Sequence, residues 1–480
     1  MSIRALGKQS LVYGLGHILT RLVTFLLLPL YTNHFSPKEY GIIALFYTFL
    51  SFMNVIMRYG LGAALLKFYV PADFSERKAI FSNIMVSLVI TGIPFIALSI
   101  GLKDFLAPII LGAALPELII MLGIITVLDT IWSIPMLVFR SENRPITFIT
   151  LSLVNVLVTM GFNLLFILKM GLGISAVVYS NLIASVTMLI VSVPLTINRF
   201  DFKSLSLAKW KHILSFALPF LPAGLFAMIM EVADRYLLKY LTDLSTVGIY
   251  NAGYKIAMLM MLAVTGFNMG WQPFFLSKGT DGNLDGTFSR AATYVLSSLG
   301  LLWLLMILWT KPLLELEIFG YSFFGKDFLS SIDVIPWIAL GYLFYGVYIL
   351  MTPGIFLKNK PRYALWTRVI GAISNIGLNL LLIPLYGAIG AAIATCSSFG
   401  IMAGSMFIIN RKLYPMKIEW GKVGTIGVFL IASYITSLIF NNSYLIKIIL
   451  SFLFPLGLLK TGVLDLRAQS IIFQNRDDRK

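Results

Sequence analysis

The sequence is poor in charged residues and nearly free of cysteine. Only 12% of its 480 residues are Asp, Glu, Lys or Arg, whereas 58% are hydrophobic, and the mean hydropathy is +0.89. So few polar side chains cannot cover the surface of a water-soluble globule of this length. The single cysteine, Cys396, lies in an apolar run, so an intramolecular disulfide is excluded. These shortages predict an integral membrane protein.

The chain also lacks the short motifs of common enzyme chemistry. It contains no HExxH, paired CxxC, GxxxxGK or GxSxG pattern, so metal-dependent, nucleotide-dependent and serine hydrolysis have no residues to carry them. The connections between apolar runs reach at most about 25 residues, which is too short for an extramembrane domain. We therefore expect neither an enzyme nor a bound metal or cofactor.

Long apolar runs take up most of the sequence. About 20 apolar residues in a helix cross the hydrocarbon core, and windows of that length predict about fourteen transmembrane helices, the first at 10–31 and the second at 41–66. The expected fold class is therefore an all-α polytopic membrane protein. Most of the 37 lysines and arginines fall in connections on one side, which places both termini in the cytoplasm. The net charge of +16 then indicates contact with anionic lipids, not nucleic acid.

An internal repeat divides the chain. Residues 144–176 match residues 360–392 at a constant offset of 216. The paired positions include Pro145 and Pro361, Asn163 and Asn379, and Gly171 and Gly387. Six helices in each copy give both copies the same orientation, so the two are parallel repeats with a binding site between them near the midplane. We predict two six-helix lobes at 1–200 and 201–415, followed by two extra helices and a cytoplasmic tail at 416–480.

Basic residues inside the predicted spans indicate a cationic interior. An arginine at the centre of a membrane helix costs about 2.5 to 3.5 kcal/mol on insertion scales, so such a residue usually faces a cavity or a partner. The candidates for substrate binding are Arg21, Arg58, Arg235 and Lys255. A fifth cation, Lys239, is expected to extend to the outer interface. Guanidinium and ammonium groups in a low dielectric favour an anionic substrate.

Three acidic residues inside the spans are candidates for ion coupling or gating. They are Asp129, Glu231 and Asp234. Each also has a structural alternative. Asp129 would neutralise a neighbouring arginine, Asp234 would pair with Arg235, and Glu231 lies four residues before Arg235 on the same helical face.

Several stretches resemble a known family. They are "RLVTFLLLPLYTNHFSPKEYGIIAL" (Arg21–Leu45), "EVADRYLLKYLTDLSTVGIYNAGYK" (Glu231–Lys255) and the loops "RSENRP" and "LKNKP". They are similar to polysaccharide flippases of the multidrug/oligosaccharidyl-lipid/polysaccharide exporter superfamily. The resemblance implies that an oligosaccharide on a polyprenyl pyrophosphate moves from the inner to the outer leaflet of a bacterial inner membrane by alternating access.

The resemblance also implies roles for particular parts of the chain. Arg21, Arg58 and Lys255 match positions of a cationic central cavity, and Asp234 and Arg235 match the motif of the second lobe. The last two helices would form a groove for the polyprenyl tail. Membrane lipids and the polysaccharide polymerase machinery are the expected partners.

Other functions remain open on the sequence alone. An ion-coupled multidrug or small-molecule antiporter would use the same fold, but the drug-exporting branch typically carries a carboxylate in its first helix and this chain has none there. Lipid II is an alternative cargo because it shares the pyrophosphate. A membrane-embedded polymerase or ligase would need a large outer loop, and the longest one here, at about 310–328, is short.

Overall fold

The computed structural model describes residues 25–278, 285–318, 321–440 and 443–464, and these residues are mostly α-helical. In chain order the helices are α1 Leu28–His34, α2 Pro37–Arg58, α3 Leu61–Tyr69, α4 Phe74–Gly101, α5 Lys103–Leu111, α6 Pro116–Ser141, α7 Pro145–Leu164, α8 Ile174–Ser192, α9 Leu207–Ala217, α10 Phe220–Leu241, α11 Leu244–Lys278, α12 Asp285–Leu314, α13 Ile335–Leu350, α14 Pro353–Leu357, α15 Arg362–Leu413, α16 Trp420–Ile439 and α17 Tyr444–Lys460.

The remaining elements are short. A π-helical turn, Leu165–Lys169, follows α7. Three 3₁₀ segments lie in the connections: Pro194–Arg199, Phe202–Ser204 and Lys326–Val334. Two strands of two residues each, β1 Glu317–Ile318 and β2 Tyr321–Ser322, pair antiparallel. This small hairpin lies in the stretch that the sequence predicts as the longest outer loop.

The predicted all-helical membrane fold is confirmed, and its helix count stays a prediction. Ten described helices are long and apolar enough to span a bilayer, or eleven if α9 and α10, bent by 41° to each other, form one span. The backbone of α15 breaks at Gly387, where the sequence predicts the start of a span at 387–409. The helix α17 has 17 residues and is not among those ten. The first predicted helix, at 10–31, lies mostly outside the described residues.

The second predicted helix is interrupted in the structure. Ser36 begins α2 with a capping box, because its side chain accepts from the Glu39 N–H while the Glu39 carboxylate accepts from the Ser36 N–H. The helix ends at Arg58, since Tyr59 and Gly60 have φ angles of 28° and 81°. A Cβ at Gly60 would collide with a backbone carbonyl of α9, so glycine is required there on two grounds. The break places Arg58 at the end of a helix and not within one.

The chain divides into two compact units. The first comprises the described residues up to Lys255 together with 324–331 and 372–394. One of its cores surrounds Leu65 and Phe81, and another surrounds Phe46 and Leu122, all of them almost fully buried. Their burial on α2, α3, α4 and α6 holds these helices side by side, and burial of such a side chain contributes about 1.5 to 3 kcal/mol.

The second unit comprises the described residues within 256–323 and 332–371 and those from Thr395 to 464. Leu304 and Leu308 of α12 pack with Phe454 and Leu458 of α17. Trp309 donates from its indole to the Ser451 hydroxyl at 3.0 Å, which satisfies the one polar atom of a large apolar side chain. The helices α16 and α17 thus pack on α12. The division into lobes at residues 200 and 415 stays a prediction.

The internal repeat has matching backbone features. Gly171 and Gly387, paired in the sequence repeat, both have positive φ angles, 61° and 55°. Gly41 and Gly248 occupy matching places in a shorter similarity between 35–47 and 244–254. A Cβ at Gly41 would collide with the Leu244 carbonyl, and one at Gly248 would collide with the carbonyl of the residue that begins α2. This reciprocal approach of α2 and α11 is what two elements related by an approximate twofold axis produce.

Candidate functional site

An ion pair lies inside α10 in the first unit. The Arg235 guanidinium donates to the Asp234 carboxylate at 2.7 Å and also to the backbone carbonyl of Glu231. Both partners are buried, with 5% exposure for Arg235 and 1% for Asp234. The geometry supports the predicted pairing of these neighbours. The Arg235 side chain contacts the carbonyl of Glu231, and not its carboxylate.

Two tyrosines of α11 enclose this pair. The Tyr250 hydroxyl donates to the second carboxylate oxygen of Asp234. The Arg235 guanidinium carbon lies 3.8 Å from the centroid of the Tyr254 ring and 5.5 Å from that of Tyr250. A cation over an aromatic face is stabilised by the ring quadrupole, most strongly where water is excluded. The charge of Arg235 is therefore compensated by a carboxylate and two rings.

A second charged group lies where α2, α6 and α8 pack together. The Asp129 carboxylate of α6 accepts from Trp132 Nε1 at 2.9 Å and from the Ser185 hydroxyl of α8 at 2.6 Å. Arg58 of α2 attracts it electrostatically. The Nε of Arg58 and the amide oxygen of Asn54, one turn away, are buried without a hydrogen-bond partner among the described residues. Asp129 thus partly neutralises Arg58 and leaves a guanidinium donor available.

The third predicted cation faces an aromatic ring. Lys255 Nζ lies 6.0 Å from the centroid of the Tyr47 ring, and the Tyr47 hydroxyl accepts from the Asn181 amide at 2.9 Å. Elsewhere in the same unit, the Tyr31 hydroxyl donates to Asn163 at 2.8 Å. Tyrosine–asparagine hydrogen bonds therefore join α1 to α7 and α2 to α8 in the first unit.

The remaining candidates have different settings. Lys239 donates to the carbonyls of Pro108 and Ile109 at the end of α5, and its place at the outer interface stays a prediction. No cation among the described residues lies within ion-pair distance of the Glu231 carboxylate. Arg21 falls outside the described residues, so its role stays a prediction. Within the described ranges, no three His, Cys, Asp or Glu side chains are grouped as a metal site requires.

An ion pair and a hydrogen bond outside the predicted spans join the ends of α3 and α6 to the segment Pro194–Arg199. The Glu142 carboxylate accepts from both Arg199 and the Tyr69 hydroxyl, the latter at 2.7 Å. Burial raises the pKa of Glu142, but the hydrogen bonds from Arg199 and Tyr69 and the charges of Arg199 and Arg144 outweigh it, so the pKa lies below its ordinary value. The group stays ionised at neutral pH.

Sequence reasoning did not identify the tyrosines and Ser185 as parts of the site. Tyr250 and Tyr254 are four residues apart, and a Tyr on the buried face of an apolar helix needs a hydrogen-bond partner. Two tyrosines at this spacing, in the helix that follows Asp234, are the sequence signal from which this part of the site could have been predicted. Ser185 and Trp132 carry no such signal, because their partner Asp129 becomes evident only from the packing of α6 against α8.

The fold and the apolar helices define a polytopic membrane protein. The chain belongs to the polysaccharide biosynthesis protein family, whose model matches residues 6–277. It is 21% identical over 433 residues to a "Probable low-salt glycan biosynthesis flippase" of Haloferax volcanii, a match that covers 87% of this chain and 86% of that protein.

Solved structures of transporters share the fold. The "Lipid II flippase MurJ, inward closed conformation" superposes with a TM-score of 0.74 at 17% identity and covers 95% of this chain and 100% of that one. An inward-facing multidrug resistance MATE family transporter of the MOP superfamily gives a TM-score of 0.63 at 14% identity over 86% of this chain and 94% of the other. At these identities the likeness shows the fold alone.

Proposed function

We propose that the protein is a flippase that moves polyprenyl-pyrophosphate-linked oligosaccharides from the cytoplasmic to the outer leaflet of a bacterial inner membrane. Both termini lie in the cytoplasm on this proposal, and the product supplies surface polysaccharide synthesis. The family and the glycan flippase of Haloferax volcanii support a glycan cargo. The likeness to a lipid II flippase supports a lipid-linked one.

The observation that carries the proposal is the buried Arg58 Nε–H group, which has no hydrogen-bond acceptor among the described residues. A guanidinium Nε buried without an acceptor among the described residues is costly unless a ligand supplies one. A pyrophosphate offers several anionic oxygens, and guanidinium groups bind such oxygens with short, strong hydrogen bonds. Arg58 and Lys255, together with Arg21 from the sequence, are the proposed substrate-binding cations.

Arg235 has a conditional part in this scheme. Its charge is compensated by Asp234 in the described state, so it joins the binding site only when that pair opens. Asp234 is then a gating residue, and Asp129 and Glu231 are the proposed sites of ion coupling. When the inside of the cell is negative, the membrane potential favours outward movement of the anionic pyrophosphate by about 2.3 kcal/mol per negative charge per 100 mV.

The pool of lipid-linked oligosaccharides in the host tests this proposal. We expect a strain without the protein to accumulate one polyprenyl-pyrophosphate oligosaccharide, detected by mass spectrometry of membrane lipids. Wild type should clear it, whereas Arg58→Gln and Lys255→Gln should leave most of it in place at equal membrane abundance. Lys103→Gln, at an exposed ion pair with Glu117, serves as the matched control.

Other outcomes would assign another function. An unchanged pool together with drug resistance that rises with expression would indicate a multidrug antiporter. Accumulation of lipid II would name that cargo instead. Altered polymer length without accumulation would indicate a polymerase. Clearance of the lipid-linked oligosaccharide by both variants would show that Arg58 and Lys255 are not needed for transport.

A further inference from the structure

A cavity of about 260 Å³ lies in the second unit, away from the charged groups described above. The last turn of α15, the connection 414–419 and the first residue of α16 form its walls. Arg411 and Asn410 supply its polar lining, and Phe407, Trp420 and Met416 supply apolar lining. The volume corresponds to several water-sized groups at about 30 Å³ each, which is enough for a phosphate and part of a glycerol.

The connection that forms this cavity is held at both ends. The buried Asn410 amide donates to the Tyr414 carbonyl at 3.1 Å and accepts from the Gly354 N–H at 3.0 Å. At the other end, the Glu419 carboxylate accepts from the Thr293 hydroxyl at 2.8 Å and from Lys422 at 2.9 Å. These hydrogen bonds preform the cavity, so a ligand would not have to order the loop on binding.

The cavity carries the positive charge of Arg411, which no described side chain binds. The Arg411 guanidinium makes no hydrogen bond or ion pair with a side chain in the described part of the chain. Lys412 follows it in the sequence, and the neighbouring Glu419 is already bound by Lys422. The charge balance at this cavity therefore favours an anion.

A buried donor next to the cavity also lacks a partner. A small second cavity shares Met351, Met416 and Ile418 with the first, and Trp271 lines it. Trp271 is 4% exposed, and its Nε1 has no acceptor among the residues that the structure describes. Buried donors are nearly always satisfied, so a water or a ligand oxygen is expected here.

We propose that this cavity binds the phosphate headgroup of an anionic phospholipid from the cytoplasmic leaflet. The basic residues place it on the cytoplasmic side, where anionic lipids concentrate and where basic pockets between membrane helices bind acidic headgroups. Trp420, 62% exposed at the start of α16, is suited to the headgroup level. A bound lipid would brace the connection between α15 and the last two helices. The proposal does not depend on the transported cargo.

The purified full-length chain in neutral detergent tests this site with three probes: phosphatidylglycerol, phosphatidylcholine and inorganic phosphate. We expect native mass spectrometry to show retained phosphatidylglycerol, and the melting temperature to rise with phosphatidylglycerol only. Arg411→Gln should weaken phosphatidylglycerol binding at least about tenfold, which corresponds to 1.4 kcal/mol. Arg362→Gln removes an exposed arginine of the same helix that does not line the cavity, and it should bind as wild type does.

Several results would overturn the proposal. An equal response to phosphatidylcholine would remove the role of charge, and an equal response to inorganic phosphate would replace the lipid by a soluble anion. Unchanged binding in Arg411→Gln would place any lipid elsewhere. Should that variant fail to fold, Met416→Trp fills the cavity without removing charge. It must also reduce phosphatidylglycerol binding, and wild-type binding in it would contradict the site.

Discussion

Asp234 receives hydrogen bonds from Tyr250, from the Arg235 side chain and from the Arg235 backbone N–H. Removing two charges from water is expensive, and mutual attraction repays this only when the remaining hydrogen-bonding positions are filled. The donors around Asp234 and the two rings against Arg235 meet that condition. At the scale of single residues, the buried Asp234–Arg235 pair is stable because neighbouring side chains supply the remaining hydrogen bond and the ring contacts.

The Tyr250 hydroxyl can be removed without changing the ring. We expect Tyr250→Phe to destabilise the protein by about 1 to 3 kcal/mol, because one oxygen of a buried carboxylate loses its donor. Thermal unfolding in detergent measures this as a lower melting temperature. Tyr236→Phe, on α10 but with no hydrogen bond from its hydroxyl to a described residue, should change it much less. Equal melting temperatures for wild type and Tyr250→Phe would contradict the geometry.

The lowered pKa of Glu142 predicts a pH-dependent stability. A carboxyl with a depressed folded pKa stabilises the fold above its unfolded pKa, about 4.5, and this contribution is lost as the pH falls through the folded value. We therefore expect Glu142→Gln to cost about 1 to 3 kcal/mol at pH 7, from its hydrogen bonds with charged Arg199. The difference from wild type should shrink steadily below pH 4.5.

The control for this pH series is an exposed ion pair. Glu117 pairs with Lys103 at 3.3 Å and its side chain is 69% exposed. Glu117→Gln should cost less than about 1 kcal/mol at any pH, as surface pairs do. A Glu142→Gln effect that persists undiminished at low pH would mean that packing, and not charge, is responsible.

The close approach of α2 and α11 is the clearest feature at the scale of elements. Gly41→Ala would place a methyl group against the backbone carbonyl of Leu244, which cannot yield as a flexible side chain does. We expect a loss of about 1 to 3 kcal/mol, the usual cost of overpacking. Gly266→Ala, in α11 with open space at its Cβ, should be neutral or stabilising because alanine is the better helix former. Thermal unfolding of both variants compares them directly, and a stable Gly41→Ala protein would show that the helices separate easily.

Sequence patterns predicted the long helices well because apolar length is a local property. The repeat also predicted the equivalence of Gly171 and Gly387, which share a positive φ. The break after Arg58 was not predicted, since it depends on the approach of Gly60 to a carbonyl of α9. The partners of Asp129 were not predicted either, because Ser185 lies 56 residues away on another helix.

At the scale of the whole molecule, the proposed cationic path belongs to a membrane protein that carries a net charge of +16. Most of the lysines and arginines lie in the predicted connections, where such residues are expected to set orientation and to meet anionic lipid. The few cations inside the spans, above all Arg58 and Lys255, are the ones proposed to contact cargo. The proposed function therefore depends on individual cations inside the spans, and not on the total charge.

Transport in proteoliposomes tests whether the protein is a flippase and whether Arg58 contacts its cargo. Purified protein is reconstituted with a fluorescent polyprenyl-pyrophosphate sugar, and an impermeant reductant then reports which leaflet the sugar occupies. We predict that wild type makes inner-leaflet label accessible at a rate well above that of empty vesicles, and that Arg58→Gln lowers the rate at least about tenfold, a barrier increase of about 1.4 kcal/mol. Movement no faster than in empty vesicles, or equal rates for wild type and Arg58→Gln, would contradict the account.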